Sequence, residues 1–548
     1  MNLLGSANRG ALVEKIKEDQ YDLLVIGGGV TGAGIALDAA TRGLRTLLVE
    51  KNDFASGTSS KSTKLIHGGL RYLKQFEIQL VREVGRERAV VHGLAPHLVI
   101  NEKMILPLIT DGTYGKMLTS IGLMVYDVLA GVEKEDQRKM LTKEETLELE
   151  PLIREDLLEG GGIYAEYRTD DARLTMEILK TAKQYGADII NYAEAVDFVY
   201  TDGKITGVKW LDRLGHREHE LSAKYTISAA GPWVDELRAK NQSLKGKFLH
   251  PTKGVHIVVP RERFPVNHAI YFDVPDGRMI FAVPRDRVTY IGTTDTDYHG
   301  DLDDVRTDLA DVEYLIEGVN HIFPKVGLQV SDVESTWAGL RPLIEEEGKS
   351  ASELSRKDEI FESDTGLLSI AGGKLTGYRK MAERIVNRIG EKMKEEYDRD
   401  LKPCQTENTI LVGGVFSSQK DVRRYTQSIE EKLERLDPSL KSKAEYLVSN
   451  YGRQTGEILA QYKSVQGSAE ERLALCELEF TLENESVFTL LDFFERRTGR
   501  LYFDIPSIEK VRDAVCQRMK AFFSWSDEEL QQNVDYLDRA IRLASHFE

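Results

Sequence analysis

Residues 21–50 read YDLLVIGGGVTGAGIALDAATRGLRTLLVE, and their order decides the fold. Tyr21–Ile26 is a compact apolar run ended by glycines, the pattern of a strand buried on both faces of a parallel sheet. Val30–Arg42 has helical composition, and Arg45–Glu50 is a second apolar run. Strand, helix and strand joined by short turns make a βαβ crossover. Gly27, Gly29 and Gly32 satisfy the GxGxxG spacing. In that pattern the first glycine permits the tight turn, the second lets backbone approach a pyrophosphate, and the third lets helix and strand pack closely. The helix start then offers unpaired N–H groups and a positive dipole end to the phosphates. Glu50 ends the second strand, where a carboxylate accepts from ribose hydroxyls and repels a 2′-phosphate, which disfavours NADP. A lone glycine pattern is weak evidence. Here it coincides with two strands, a helix and a terminal acid, so a dinucleotide site is expected, without a choice between FAD and NAD.

Outward from this unit, residues 5–18 read as a charged lead-in helix, and 53–73 as a Ser/Thr/Gly-rich loop followed by helix to about Leu94. Residues 101–158 read as mainly helical and charged, and Leu174–Tyr185 as helix. Residues 188–210 alternate as strands around the Asp202-Gly203 turn. Tyr225–Ala230 is a buried strand before Gly231-Pro232. Between His250 and Thr294, the runs VHIVVP, AIYFDV, RMIFAVP and VTYIGTT predict an antiparallel sheet. Leu367–Ala371 is one more strand, after which Gly372-Gly373-Lys374 opens a helix to about Lys394. Beyond Thr406 the chain reads as helical and acidic. The fold expected is therefore α/β: a Rossmann-like domain with a parallel sheet, an antiparallel substrate-binding sheet and an all-α C-terminal domain. The expected division is a discontinuous nucleotide domain (1–100, 160–250 and 330–400), a substrate-binding region (101–159 and 251–329) and a helical domain (405–548).

A chain of 548 residues exceeds what one core supports, and 41% apolar content suffices for several. The formal charge of −17 argues against wholesale nucleic-acid binding but leaves room for a local basic pocket. Cys404, Cys476 and Cys516 lie far apart with no metal-type spacing, and read as reduced thiols of a cytoplasmic protein. Met1-Asn2-Leu3-Leu4 lacks the features of a secretory signal. No run reaches the roughly 20 apolar residues of a spanning helix. The nearest, Met117–Val132, is interrupted by Asp127 and reads as a buried or amphipathic helix, with monotopic membrane contact the minority reading.

At Gly57-Thr58-Ser59-Ser60 and at Lys64-Leu65-Ile66-His67-Gly68-Gly69-Leu70-Arg71-Tyr72-Leu73 the sequence becomes specific. It resembles the FAD-dependent glycerol-3-phosphate dehydrogenases, a branch of the D-amino-acid-oxidase-like flavoproteins. Further matching stretches are Thr169–Leu174, Ala230-Gly231-Pro232-Trp233, Lys253-Gly254-Val255-His256, Gly339-Leu340-Arg341-Pro342 and Gly372–Arg379, in family order over about residues 20–390. Arg496-Arg497-Thr498 matches the family's C-terminal helical domain more loosely. The resemblance implies FAD, oxidation of sn-glycerol 3-phosphate to dihydroxyacetone phosphate, and a quinone acceptor in the respiratory membrane. A peripheral contact with the inner face of that membrane follows from it. The related oxidase, a non-catalytic flavin-binding protein and a homodimer stay open at this stage.

Such chemistry needs an anion clamp, a base near the C2 hydroxyl and a flavin placed to take hydride. Arg71, Arg341, Arg356 and Lys374 are the cationic candidates, arginine by its donor fork and lysine as a point charge. Arg356 lies in a polar loop where a solvated charge is an equal reading, and Tyr72 stands equally between phosphate donor and packed aromatic. His256 is the expected general base, against the reading of a hydrogen-bonded structural histidine. Arg341 cannot be a base and is assigned to a developing alkoxide. Thr58, Ser59, Gly231 and Thr376 are assigned to the cofactor, and His67 to positioning its ring. Ser60 and Lys64 are assigned to the pyrophosphate or ribityl chain. Gly373, with Gly372, is expected to aim backbone N–H groups at the flavin pyrimidine edge. Asp295 and Asp297 read as structural acids in a turn, with no metal expected.

Overall fold

The computed structural model describes residues 3–67, 78–110, 112, 138–345 and 357–547. Arg71, Tyr72, Arg356 and the Met117–Val132 run lie outside the described residues.

Gln20–Ile26 forms a strand with every residue after the first buried. It is central to an eight-stranded sheet, pairing in parallel with Thr46–Val49 and Arg217–Ser228. Asp188–Ile190 extends the parallel set on one side and Leu367–Gly372 on the other. The βαβ unit is thus present as expected. The helix Val30–Thr41 is buried along nearly its whole length, because it is wedged between the helices Asp171–Gln184 and Tyr378–Tyr397. Its small residues (Gly32, Ala33, Gly34, Ala36, Ala39 and Ala40) make that double packing sterically feasible. The expected hairpin is the pair Ala193–Thr201 and Lys204–Asp212, turned at Asp202 (φ 49°) and Gly203 (φ 74°). Positive φ at both turn residues is what a type I′ hairpin needs.

A second sheet has ten strands and is mostly antiparallel. Leu249–Pro260 pairs along one edge with Ser335–Ile344 and along the other with Val288–Gly292. Its residues alternate: Val255, Ile257 and Val259 enter a core with the helix Leu309–Ile322, while Gly254, His256 and Val258 occupy the opposite face. The described residues of 101–158 are not mainly helical: Ile100–Ile109 and Lys139–Leu141 are strands flanking Leu158–Arg168, and Lys143–Leu149 is the one described helix there. The polar half of the first of these strands is stabilised across the sheet, Glu102 pairing with Arg168 at 2.9 Å.

Beyond residue 405 the chain is helical, as expected, ending in Ala469–Asn484, Ile505–Phe523 and Asp527–Ser545. Their apolar faces share one core with the antiparallel sheet: Val258, Tyr290 and Trp337 pack with Leu478, Val515 and Leu537. Cys404, Cys476 and Cys516 are free thiols. Among the described residues, no helix is long and apolar enough to cross a membrane.

Candidate active site

A single cavity of about 640 Å³ runs from the glycine turn to the antiparallel sheet. Gly27, Gly29 and Thr31 line one end, and His256, Arg341 and Lys374 the other.

At the nucleotide end, Gly27 has φ +115°, and a Cβ there would lie 2.5 Å from the Ala229 carbonyl oxygen. A Cβ on Gly32 would collide with the Gly27 carbonyl, so turn and helix meet as the glycine spacing requires. Glu50 sits at the end of the second strand. Its carboxylate accepts from Gly28 N–H (2.6 Å) and Asn52 N–H (2.9 Å). Burial pushes its pKa up, against those two donors. Each oxygen retains lone pairs for a further donor such as a ribose hydroxyl. Ser59 Oγ accepts from Val30 N–H (2.9 Å) at the helix start, and Thr58 donates to the Leu340 carbonyl (2.7 Å). Both residues line the cavity, as do His67, Gly231, Gly373 and Thr376. Thr376 donates to the His67 carbonyl (3.3 Å), tying the two flavin-side motifs together.

Lys64 and Ser60 depart from expectation, because neither lines the cavity. Lys64 has φ +57°, and this left-handed kink turns its side chain inward. There its amine donates to Asp171 (2.5 Å) and to the Ser60 carbonyl (2.9 Å). Among the described residues of this loop, Lys61, three residues earlier, is a cation that does line the cavity. Burial lowers the pKa of Lys61.

At the other end two side chains lean across the sheet over glycines. The Arg341 guanidinium lies over Gly254, where a Cβ would stand 2.5 Å from Nη1 and 2.7 Å from Cζ. Arg341 donates to the Thr293 hydroxyl (2.9 Å) and lies 3.3 Å from Asp295. His256 lies over Gly292, where a Cβ would stand 2.6 Å from Nε2. Its ring stacks on Trp337 at 4.8 Å with 11° between the planes, and its Nε2 is 3.0 Å from Thr63 Oγ1. Burial, the Arg341 charge and the Lys64 charge hold its pKa well below the usual histidine value. The ring is therefore neutral at pH 7 and able to accept a proton. Asp295 and Asp297 are engaged in pairs, the latter 2.7 Å from His250. Sequence reasoning missed Thr63, Trp337, Lys61 and the two glycines. The signal for the glycines was present, since a glycine inside a strand marks a close approach.

Fold and cavity define a nucleotide-dependent oxidoreductase, with a phosphate-accepting turn at one end and a neutral histidine beside a guanidinium at the other. The sequence profile described as "FAD dependent oxidoreductase" matches residues 22–379, and that described as "C-terminal domain of alpha-glycerophosphate oxidase" matches 404–530. The chain is 47% identical over 541 residues to the aerobic glycerol-3-phosphate dehydrogenase of Bacillus subtilis, covering 98% of this chain and 97% of that one. It is 45% identical over 552 residues to the protein of the same name from Staphylococcus aureus, covering 99% and 98%. Among solved structures, the glycerol-3-phosphate dehydrogenase from Bacillus halodurans complexed with FAD superposes with a TM-score of 0.84 at 42% identity, over 99% of both chains. The L-alpha-glycerophosphate oxidase of Mycoplasma pneumoniae, at 20% identity and a TM-score of 0.56 over 71% of this chain, shares the fold. The chain belongs to the FAD-dependent oxidoreductases, and within them to the aerobic glycerol-3-phosphate dehydrogenase family.

Proposed function

We propose that this enzyme oxidises sn-glycerol 3-phosphate to dihydroxyacetone phosphate with FAD, and that the electrons pass to a quinone. The observation that carries the reading is the continuity of one cavity between the Gly27–Glu50 nucleotide site and the His256–Arg341 pair. Bound flavin supplies the hydride acceptor. Neutral His256 takes the proton of the C2 hydroxyl through Nε2, the ring nitrogen now facing the Thr63 hydroxyl. Arg341 holds the oxygen of that hydroxyl as negative charge develops on it. An anionic phosphoester beside His256 raises the ring's depressed pKa, which makes the transfer easier only when substrate is present. Lys374 lines the same end and is assigned to the phosphate; the same role for Arg71, Tyr72 and Arg356 rests on the family resemblance. Delivery to a lipid-soluble quinone calls for a peripheral contact with the inner face of the membrane.

Anaerobic titration of the purified yellow protein with glycerol 3-phosphate tests the reading. Bleaching of the visible flavin absorbance is expected, and absence of bleaching overturns it. Aerobic turnover that yields stoichiometric peroxide and leaves a quinone analogue unreduced would replace the quinone by oxygen as acceptor.

A further inference from the structure

The loop between Glu50 and Ser60 supplies much of the nucleotide end of the cavity: Glu50, Lys51 and Ser56–Ser59 line it. Asp53, in the middle of this loop, does not line the cavity and is 1% exposed. Its carboxylate points the other way, into the C-terminal helical region. Asp53 Oδ2 accepts from Arg496 Nε (2.5 Å) and Arg497 Nη1 (2.8 Å), and Oδ1 accepts from Arg497 Nη2 (2.8 Å) and Asn191 Nδ2 (3.1 Å). All four acceptor positions of the carboxylate are thereby filled. Burial pushes the Asp53 pKa up, but Arg497 and Arg496 outweigh it and hold the group ionised.

The two arginines end the segment Asp492–Arg497, which is wound as a π-helix, a geometry that places consecutive side chains where an α-helix would not. Arg497 also donates to the Glu485 carbonyl (2.7 Å), which fixes it within the helical region. A second tether runs beside the first. Asn52 accepts from Tyr192 N–H (3.0 Å), and the Tyr192 hydroxyl donates to Asp492 (2.7 Å) in the same π-helical segment. On its inner side the loop closes on the glycine turn: Ala55 N–H donates to the Gly28 carbonyl (3.1 Å), and Phe54 packs where a Cβ of Gly28 would be. The chain of contacts therefore runs from Arg497 through Asp53 to the turn that faces the pyrophosphate.

We propose that Arg496 and Arg497 are positioning residues for the cofactor: the C-terminal region holds the 50–60 loop, through Asp53, in the shape that binds the nucleotide. Buried ion pairs of this kind add little net stability, because desolvation offsets attraction, but they fix one geometry among several. A helical region that served only to cover the sheet would have no need of a fully satisfied carboxylate on the back of the cofactor loop. The proposal rests on FAD occupying the cavity.

The test uses the full-length holoenzyme, first unaltered, then as Arg497→Lys and Asp53→Asn. FAD release on dilution is followed by flavin fluorescence, and hydrogen exchange is measured in peptides covering 20–26, 50–60 and 485–503. Release roughly tenfold faster in Arg497→Lys is expected from loss of the bidentate contact. Exchange should rise in 50–60 as well as in 485–503 and stay unchanged in 20–26. Release at the original rate, with exchange raised only in 485–503, overturns the proposal and leaves a structural contact. Should Asp53→Asn fail to fold, the milder Arg497→Lys decides alone. An unaltered protein that carries no flavin would instead sink the cofactor reading itself.

Discussion

Gly254→Ala is the most informative single change, because it moves Arg341 without altering it. The new methyl would lie 2.5 Å from Nη1 and 2.7 Å from Cζ of that guanidinium. Ordinary contact begins near ~3.5 Å, so the group must retreat by about 1 Å. The obstacle is the far end of a flexible side chain that is 23% exposed, so the backbone need not shift and the protein should fold normally. The retreat stretches the 2.9 Å bond to Thr293. At about 3.9 Å it is no longer a hydrogen bond. A hydrogen bond involving a charged group is worth about 1.5–3 kcal/mol, which corresponds to roughly 10- to 150-fold in rate. A 1 Å misplacement of a positioning group independently suggests about 100-fold. Steady-state reduction of an artificial acceptor by glycerol 3-phosphate should show kcat/KM reduced by about that factor, with flavin content and melting temperature close to the parent. If kcat falls with kcat/KM, Arg341 acts on the developing charge; if only KM rises, it acts on the bound ground state. Parental kcat/KM in a fully flavinylated Gly254→Ala protein would refute the placement of Arg341 in the chemistry.

Other expectations follow from the same geometry. His256→Ala should lower kcat by about 100-fold or more, the usual contribution of a general base, while FAD content changes little; unchanged turnover removes the base assignment. Lys64→Met leaves Asp171 buried without its cation and should destabilise the fold by about 3–5 kcal/mol. Urea unfolding measures that loss, and a parental midpoint would show that Asp171 does not depend on Lys64. His97 is 1% exposed, neither ring nitrogen has a hydrogen-bond partner among the described residues, and burial lowers its pKa to about 4. Because the folded value lies below the unfolded one, the unfolded chain takes up the proton first as pH falls through about 6.5. Stability should therefore decline between about pH 6.5 and 4, by about 3 kcal/mol from this group. Urea midpoints should fall less steeply over that range in His97→Asn, and equal slopes would exclude His97 as the source.

The nucleotide end was legible because a strand buried on both faces leaves an unbroken apolar run, and because the positive φ at Gly27 and the approach of Gly32 to the Gly27 carbonyl are set within six residues. The antiparallel strands from His250 onward were legible for a related reason: their alternation and turn residues are local. Ile100–Ile109 was not, since Asn101, Glu102 and Lys103 suit a strand only once Arg168, more than sixty residues away, supplies the partner for Glu102. Lys64 and Lys61 show the same limit within one loop. The sequence reading chose Lys64 and passed over Lys61; the left-handed φ at Lys64 goes with a side chain turned away from the cavity, and nothing in the sequence of that loop announces it. Arg496 and Arg497 were visible as a motif without a meaning, because the meaning lies in Asp53, on the far side of the chain.

The charge of −17 poses a problem that the cavity resolves locally. A phosphoester approaching such a protein meets repulsion, yet at physiological ionic strength that field is screened beyond about 8 Å. What counts is the short-range balance inside the site. There the Arg341 guanidinium is held by Asp295 (3.3 Å) and by the Thr293 hydroxyl (2.9 Å) at the rim of the cavity. Burial depresses the pKa of both Lys61 and His256, which means that the surroundings do not fully compensate a positive charge on either. An anion seated beside either group would do so and raise its value towards normal. With His256 as the proposed base, phosphoester binding and proton affinity would be one linked equilibrium, and the base would strengthen as its substrate arrives.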